Sequence, residues 1–244
     1  MALKKLFLVG LIGCLLAPSS AFAEWYAGGS LGISMPHDVT NFTGTDGSYD
    51  LTLTKFSPDN SLAGGIKGGY FFDKAPNFGI EFNFSVSDPD VDKETITATI
   101  TGTPVGVFSG QASGDFLGSA DVDSLISYGF LAMLRTTDED AKEKYNGLQP
   151  YAGAGFSINV LDINKVSIYD TAGASIADTS GDSNTSVGLL VSAGLNYILN
   201  DRIKLYSEYK YKDLNFDYDA LDSNVTYGFD TAESSVAFGL TYSF

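Results

Sequence analysis

Apolar and polar residues alternate one for one along eight stretches of this chain, a period of two that describes strands with one oily and one wet face. The cleanest covers residues 78–86, with Phe78, Ile80, Phe82, Phe84 and Val86 on one side and Gly79, Glu81, Asn83 and Ser85 on the other. The same alternation predicts strands over 25–35, 62–72, 125–135, 150–160, 187–199, 203–212 and 234–244. In 125–135 the second face is less polar, because it carries Leu131 and Met133. The last stretch sets Val236, Phe238, Leu240, Tyr242 and Phe244 against Ser235, Ala237, Gly239, Thr241 and Ser243, and it stops on an aromatic residue.

The connections alternate in length. Residues 73–77 and 200–202 are short turns, 136–149 is longer and strongly charged, and 36–61, 87–124, 161–186 and 213–234 are long, polar and acidic. Short turns at one end and long loops at the other are the pattern of a membrane-spanning barrel. The expected fold is all-β: an eight-stranded antiparallel transmembrane β-barrel with long extracellular loops and both termini on the periplasmic side. A soluble barrel would use the same alternation with its oily faces turned inward. Phe244 and the aromatic ends of the oily faces favour the membrane form. Within the long connections, 94–101 and 166–169 with 174–176 have strand composition, so hairpins are expected to carry the wall beyond the membrane. Inserting 94–101 into the wall gives a ten-stranded alternative, but that segment lacks an aromatic-rich face.

Lys4 and Lys5 precede an apolar run over 6–17 and then Ala21-Phe22-Ala23, the layout of a cleavable export leader. The expectation is a leader at 1–23 and one barrel domain over 24–244. The run is shorter than the roughly 20 residues that a membrane-spanning helix needs. Leu11-Ile12-Gly13-Cys14 offers a rival lipoprotein-type processing box. Cys14 is the single cysteine, so cleavage after Ala23 would leave no thiol. The net charge of −16 argues against nucleic acid as a partner.

Glu24-Trp25-Tyr26-Ala27-Gly28-Gly29-Ser30-Leu31-Gly32 resembles the first strand of the OmpA-like, opacity-type family of small outer-membrane β-barrels. Tyr70-Phe71-Phe72 with Gly79-Ile80-Glu81, Gln149-Pro150-Tyr151-Ala152-Gly153-Ala154-Gly155, Glu208-Tyr209-Lys210-Tyr211 and Tyr242-Ser243-Phe244 extend the likeness along the chain. It implies a monomer in the outer membrane of a Gram-negative bacterium, surrounded by lipid and lipopolysaccharide. Phe238, Leu240, Tyr242 and Phe244 resemble the terminal signal read by the barrel-assembly machinery. The long loops depart from the family pattern, and they are where a host or matrix ligand would be chosen.

Charged residues on the wet faces are Lys67, Glu81, Arg135, Lys204, Glu208, Lys210 and Lys212. Eight strands enclose a bore that side chains can fill, and a buried ion left alone costs several kcal/mol. These residues are therefore expected to form a structural plug of ion pairs, Glu81 with Lys67 and Glu208 with Lys210 or Arg135; a gated ion path is the alternative. His37 is the single histidine, and Ser34, Asp38 and Asp46 could complete a hydrolytic set with it on paper. Residues 178–184 space oxygen ligands like a calcium loop but have Ser183 and Leu189 where Gly and Glu are required. No cofactor or metal is expected. The function expected is non-enzymatic, structural or surface-interacting, with 87–124 as the dominant contact loop and removable over 93–115. The rivals are a narrow pore or lateral route for small apolar solutes, and a lipid A-modifying enzyme that uses His37.

Overall fold

A computed structural model describes residues 24–45, 49–53, 56–102, 113–180, 183–219 and 226–244. The leader expected at 1–23, with Cys14, lies outside the described residues, as do Asp46, Gly181 and Asp182. Twelve strands are described: β1 (Glu24–Pro36), β2 (Thr40–Thr45), β3 (Tyr49–Leu53), β4 (Ser61–Phe72), β5 (Ala75–Ser87) and β6 (Val91–Gly102) in the first half. They are followed by β7 (Gly114–Arg135), β8 (Leu148–Tyr169), β9 (Ser175–Ser180), β10 (Ser183–Ile198), β11 (Ile203–Asp219) and β12 (Thr226–Ser243). One short helix, α1 (Asp138–Lys144), lies between β7 and β8.

Eight of the strands close a ring, each antiparallel to its neighbours, in the order β1, β4, β5, β7, β8, β10, β11, β12. β12 returns to β1 over eleven pairs, from Tyr26↔Ser243 to Pro36↔Glu233. The oily faces point outward: Trp25, Leu31, Ile33, Leu62, Ile80, Phe82, Phe130, Val187, Leu195 and Phe238 are exposed, while Lys67, Glu81, Arg135, Lys204 and Glu208 are buried in the bore. Leu131 and Met133, the apolar exceptions on a wet face, pack inside against Tyr26, Phe71, Tyr151 and Leu190.

The wall is taller than its membrane band. β7 and β8 are 22 residues each, and their ladder continues to Leu117↔Tyr169. Where β1, β4 and β5 stop, β2, β3 and β6 take their places, pairing from β12 through β2, β3 and β6 back to β7. The breaks fall at Pro36, Pro58 and Pro89, residues without the amide hydrogen that a ladder needs. The Thr-rich segment thus continues β5 upward as β6 and does not add a ninth and tenth wall position. Two corrections follow. The 36–61 connection holds the strand pair β2–β3, unforeseen because its alternation is short and polar. The described residues of 93–115 include β6 to Gly102 and the start of β7, and Ile96 and Ala98 are buried in a cluster with Leu53, Phe56, Val91 and Phe116. They are not a freely removable loop.

One side of the upper wall differs. The β10–β11 ladder ends at Leu190↔Lys212, although β10 runs on to Ser183 along β8 and β11 to Asp219 along β12. There the strands meet through the Ser186 hydroxyl, which accepts the Asn215 amide at 2.9 Å.

Phe82→Arg puts a charge on the lipid face at mid-strand and should destabilise the refolded barrel by about 2–4 kcal/mol, measured by denaturant titration in lipid vesicles. Wild-type stability for this variant would mean that the faces are inverted.

Candidate functional site: a charged plug beneath an apolar chamber

Lys67 on β4 is the centre of the bore. Its ammonium lies 3.1 Å from Glu208 and 3.4 Å from Glu81, over the ring of Tyr206 at 4.0 Å. The Tyr26 hydroxyl donates to Glu81 at 2.7 Å, and that of Tyr151 to Glu208 at 3.1 Å. Lys210 reaches the other oxygen of Glu208 at 3.1 Å; above it Lys212 pairs with Glu233 at 3.0 Å and donates to Ser127 at 2.8 Å. At the end holding the termini, Lys204 lies 2.8 Å from Glu24 and 2.9 Å from Asp138, and Arg135 pairs with the same two carboxylates while its guanidinium covers the Phe71 ring.

All seven charges read from the wet faces are in the bore. Glu81 meets Lys67 and Glu208 meets Lys210, but Arg135 does not meet Glu208. Glu24, Asp138 and Glu233 escaped the sequence reading, and neutrality was the available signal: five cations with two carboxylates leave three charges unmatched. The alternation extended back by one residue brings in Glu24, in phase with Tyr26, and Glu233, in phase with Ser235. Asp138 comes from α1, whose N-cap Thr137 accepts the Asp140 amide at 3.2 Å. On the exposed side of that turn, the hydrogen bond from Lys144 holds the Asp140 carboxyl below its ordinary range, and Asp201 raises Lys142. The voids beside Lys67 are about 20 and 30 Å³, room for one or two water molecules each.

Above the plug the interior turns apolar. Val122, Leu125, Leu161, Leu214 and Phe216 form a cluster with Ile163 and Phe229 against it. Between this cluster and that of Ile96 and Phe116 is a chamber of about 120 Å³, lined by Pro36, Phe42, Phe56, Pro58, Pro89, Val91, Leu125, Leu161, Leu214, Phe216 and Phe229 among others. The three prolines at the strand breaks all face it. Phe42, Phe229 and Phe216 form a run of rings, at 6.2 Å and 5.4 Å between successive centroids. Sequence reading missed the chamber because most of its residues, Leu125 apart, sit in segments assigned to loops.

The hydrolytic set drawn around His37 is not assembled. Ser34 is buried on the inward face, Asp38 accepts from the Ser57 hydroxyl at 2.7 Å, and Asp46 lies outside the described residues. His37 instead meets Ser234, with Nε2 3.0 Å from the hydroxyl. Among the described residues no cluster of His, Cys, Asp and Glu could hold a metal ion.

Lys67→Met leaves Glu81 and Glu208 buried without their shared cation and should cost about 3–5 kcal/mol, read from urea unfolding with the heat-modifiable gel shift as probe. Lys142→Met, at an exposed pair, should leave the midpoint unchanged. Equal effects from the two would contradict a tightly packed plug.

Among solved structures the chain is similar to the outer membrane protein OprG from Pseudomonas aeruginosa, with 16% identity and a TM-score of 0.52 over 91% of this chain and 96% of that one. It also matches Neisserial surface protein A, at 16% identity and a TM-score of 0.40 over 88% and 97%. A third match is Ail of Yersinia pestis, solved with the heparin analogue sucrose octasulfate, at 14% identity and a TM-score of 0.39 over 91% and 99%. No curated protein matches the chain. The model of the outer membrane protein beta-barrel domain matches residues 6–244. A closed ring with a lipid-facing oily surface fits that assignment and a location in the cell outer membrane: the chain belongs to the outer membrane protein beta-barrel domain family.

Proposed function

We propose that this barrel captures small apolar molecules in its upper chamber and passes them sideways into the membrane. The observation that carries the reading is the chamber itself, lined by apolar side chains with Thr231 as the one polar residue. A cavity of 150 Å³ lined by aliphatic and aromatic side chains is known to take benzene, so about 120 Å³ suits a hydrocarbon of similar or slightly smaller size. The lining offers no charge to a polar solute, and the plug blocks a straight path through the bore.

The sideways route is the wall between β10 and β11, where the backbone ladder is missing above Lys212. Leu214 and Phe216, both buried in the chamber, stand on that half-paired stretch of β11, so its movement would open the chamber to lipid. A structural or surface-interaction role through the acidic loops is the alternative reading; burial of Ile96, Ala98 and Phe116 leaves less of the 87–124 connection free for it.

Toluene should raise the thermal midpoint of the refolded barrel saturably, because a ligand bound only to the folded state stabilises it by mass action. Ala120→Trp, which fills the chamber, should abolish the shift; a shift that persists in this variant would refute the site. A Val187→Cys/Asn215→Cys crosslink, between outward-facing residues that stand opposite each other when the Leu190↔Lys212 register is extended, should retain toluene binding but slow its release into vesicle lipid. Unchanged release would refute the lateral route alone.

A further inference from the structure

A second site lies on the opposite surface of the wall, independent of the chamber. On β12, Glu233 and Ser235 face the bore, and Ser234 is in phase with the outward face but buried beneath His37 and Tyr209. Its hydroxyl is 3.0 Å from His37 Nε2 and 2.7 Å from the Tyr209 hydroxyl. The three residues come from β12, the end of β1 and β11, adjacent in the ring. The histidine is fixed in place: its amide donates to the Ala232 carbonyl at 2.8 Å, its carbonyl accepts from Thr231 at 2.8 Å, and its ring stands edge-on to Tyr211 at 5.9 Å. Either oxygen can donate in the Tyr209–Ser234 contact; with Tyr209 donating to Ser234 and Ser234 to His37, every group has a partner and Nε2 is the acceptor of the serine proton.

Height matters. Trp25 and Met35 are ten residues apart on β1, about 25 Å along the axis at the usual strand rise and tilt. His37, just past Met35, therefore lies at the outer boundary of the oily band, where the ester linkages of outer-leaflet lipids are found. Below it on the same strands is a shallow, open depression in the lipid-facing wall. Leu31, Leu205, Phe238 and Leu240 are its sides, and Gly29, whose nearest neighbour for an added Cβ is 3.7 Å away, leaves its floor open. Phe238 is four residues from Ser234, roughly 13 Å at strand rise, which aligns the depression with an acyl chain whose ester is at the serine.

We propose that Ser234, His37 and Tyr209 form an interfacial ester-cleaving site for an acyl ester of an outer-leaflet lipid. The Ser234 oxygen bonds to the ester carbonyl carbon as its proton passes to His37 Nε2, and the Tyr209 hydroxyl donates to the oxyanion. Collapse breaks the bond to the alcohol, which takes the proton from His37. Water then attacks the acyl-serine, giving the free fatty acid and restoring the serine. Among the described residues no carboxylate is hydrogen-bonded to the other ring nitrogen of His37. The ring is held by its backbone and Tyr211, which suits slow turnover.

The test uses the full chain refolded in detergent, with each variant checked for its heat-modifiable shift. A long-chain fluorophosphonate should form one adduct, on Ser234, by peptide mass mapping, and 4-nitrophenyl dodecanoate should be hydrolysed. Ser234→Ala should abolish both, and His37→Gln should slow both by about 10²–10⁴-fold, the range of a positioned general base. Gly29→Leu, which fills the depression, should slow the dodecanoate but not the acetate ester. No adduct on Ser234 in the wild type, or labelling unaffected by His37→Gln, would overturn the proposal.

Discussion

Inside a bilayer no water is available to satisfy the edge of a sheet, so every amide and carbonyl of a spanning strand must find its partner within the protein. That constraint makes the β1–β12 pairing obligatory, and the remaining features follow from closing a ring of only eight strands. The bore is narrow enough for side chains to fill it. Gly28, Gly32 and Gly239 are small where an added Cβ would fall within 2.5 Å of a neighbouring carbonyl. The wet faces that result point at one another, which is why the charges must match. Five cations and five carboxylates interleave along the bore, tied to the wall by Tyr26, Tyr151 and Ser127.

Above the membrane the constraint relaxes, and the interior changes character. Water can satisfy a strand edge there, so the wall tolerates the proline breaks at Pro36, Pro58 and Pro89, while the incomplete ladder between β10 and β11 begins at the boundary, where exposed Val187 and Leu189 still present an oily face. The inward residues need not be charged, and Phe42, Phe56, Leu214, Phe216 and Phe229 surround a space of their own. The upper barrel holds a small hydrophobic compartment. Its polarity runs opposite to that of the membrane band, which is oily outside and charged within.

The membrane band was legible because lipid on one side and a filled bore on the other impose a strict period of two. Phe78 to Val86 shows it without an exception, and even Leu131 and Met133 keep the phase while breaking the polarity. The sequence argument failed where that pressure ends. β2 and β3 are strands because they bridge β12 to β6, a tertiary cause that Thr40–Thr45 does not display locally. Ile96 and Phe116 stand among threonines and aspartates, so their inward packing is hidden by polar outward neighbours. Glu24, Asp138 and Glu233 were one residue or one turn beyond the alternating stretches. Ser234 was read as a strand residue only, since its meeting with His37 spans 197 positions of sequence.

The central claim is a dry chamber that binds while the surrounding lipid does not distinguish. Methyl-resolved NMR of the barrel in lipid bilayers, titrated with cyclohexane, tests it most directly. The account predicts saturable shifts at the methyl groups of Val122, Leu125, Leu161 and Leu214, with none at lipid-facing Leu31 and Leu62 beyond a linear drift. Equal, non-saturating shifts at both sets would contradict it.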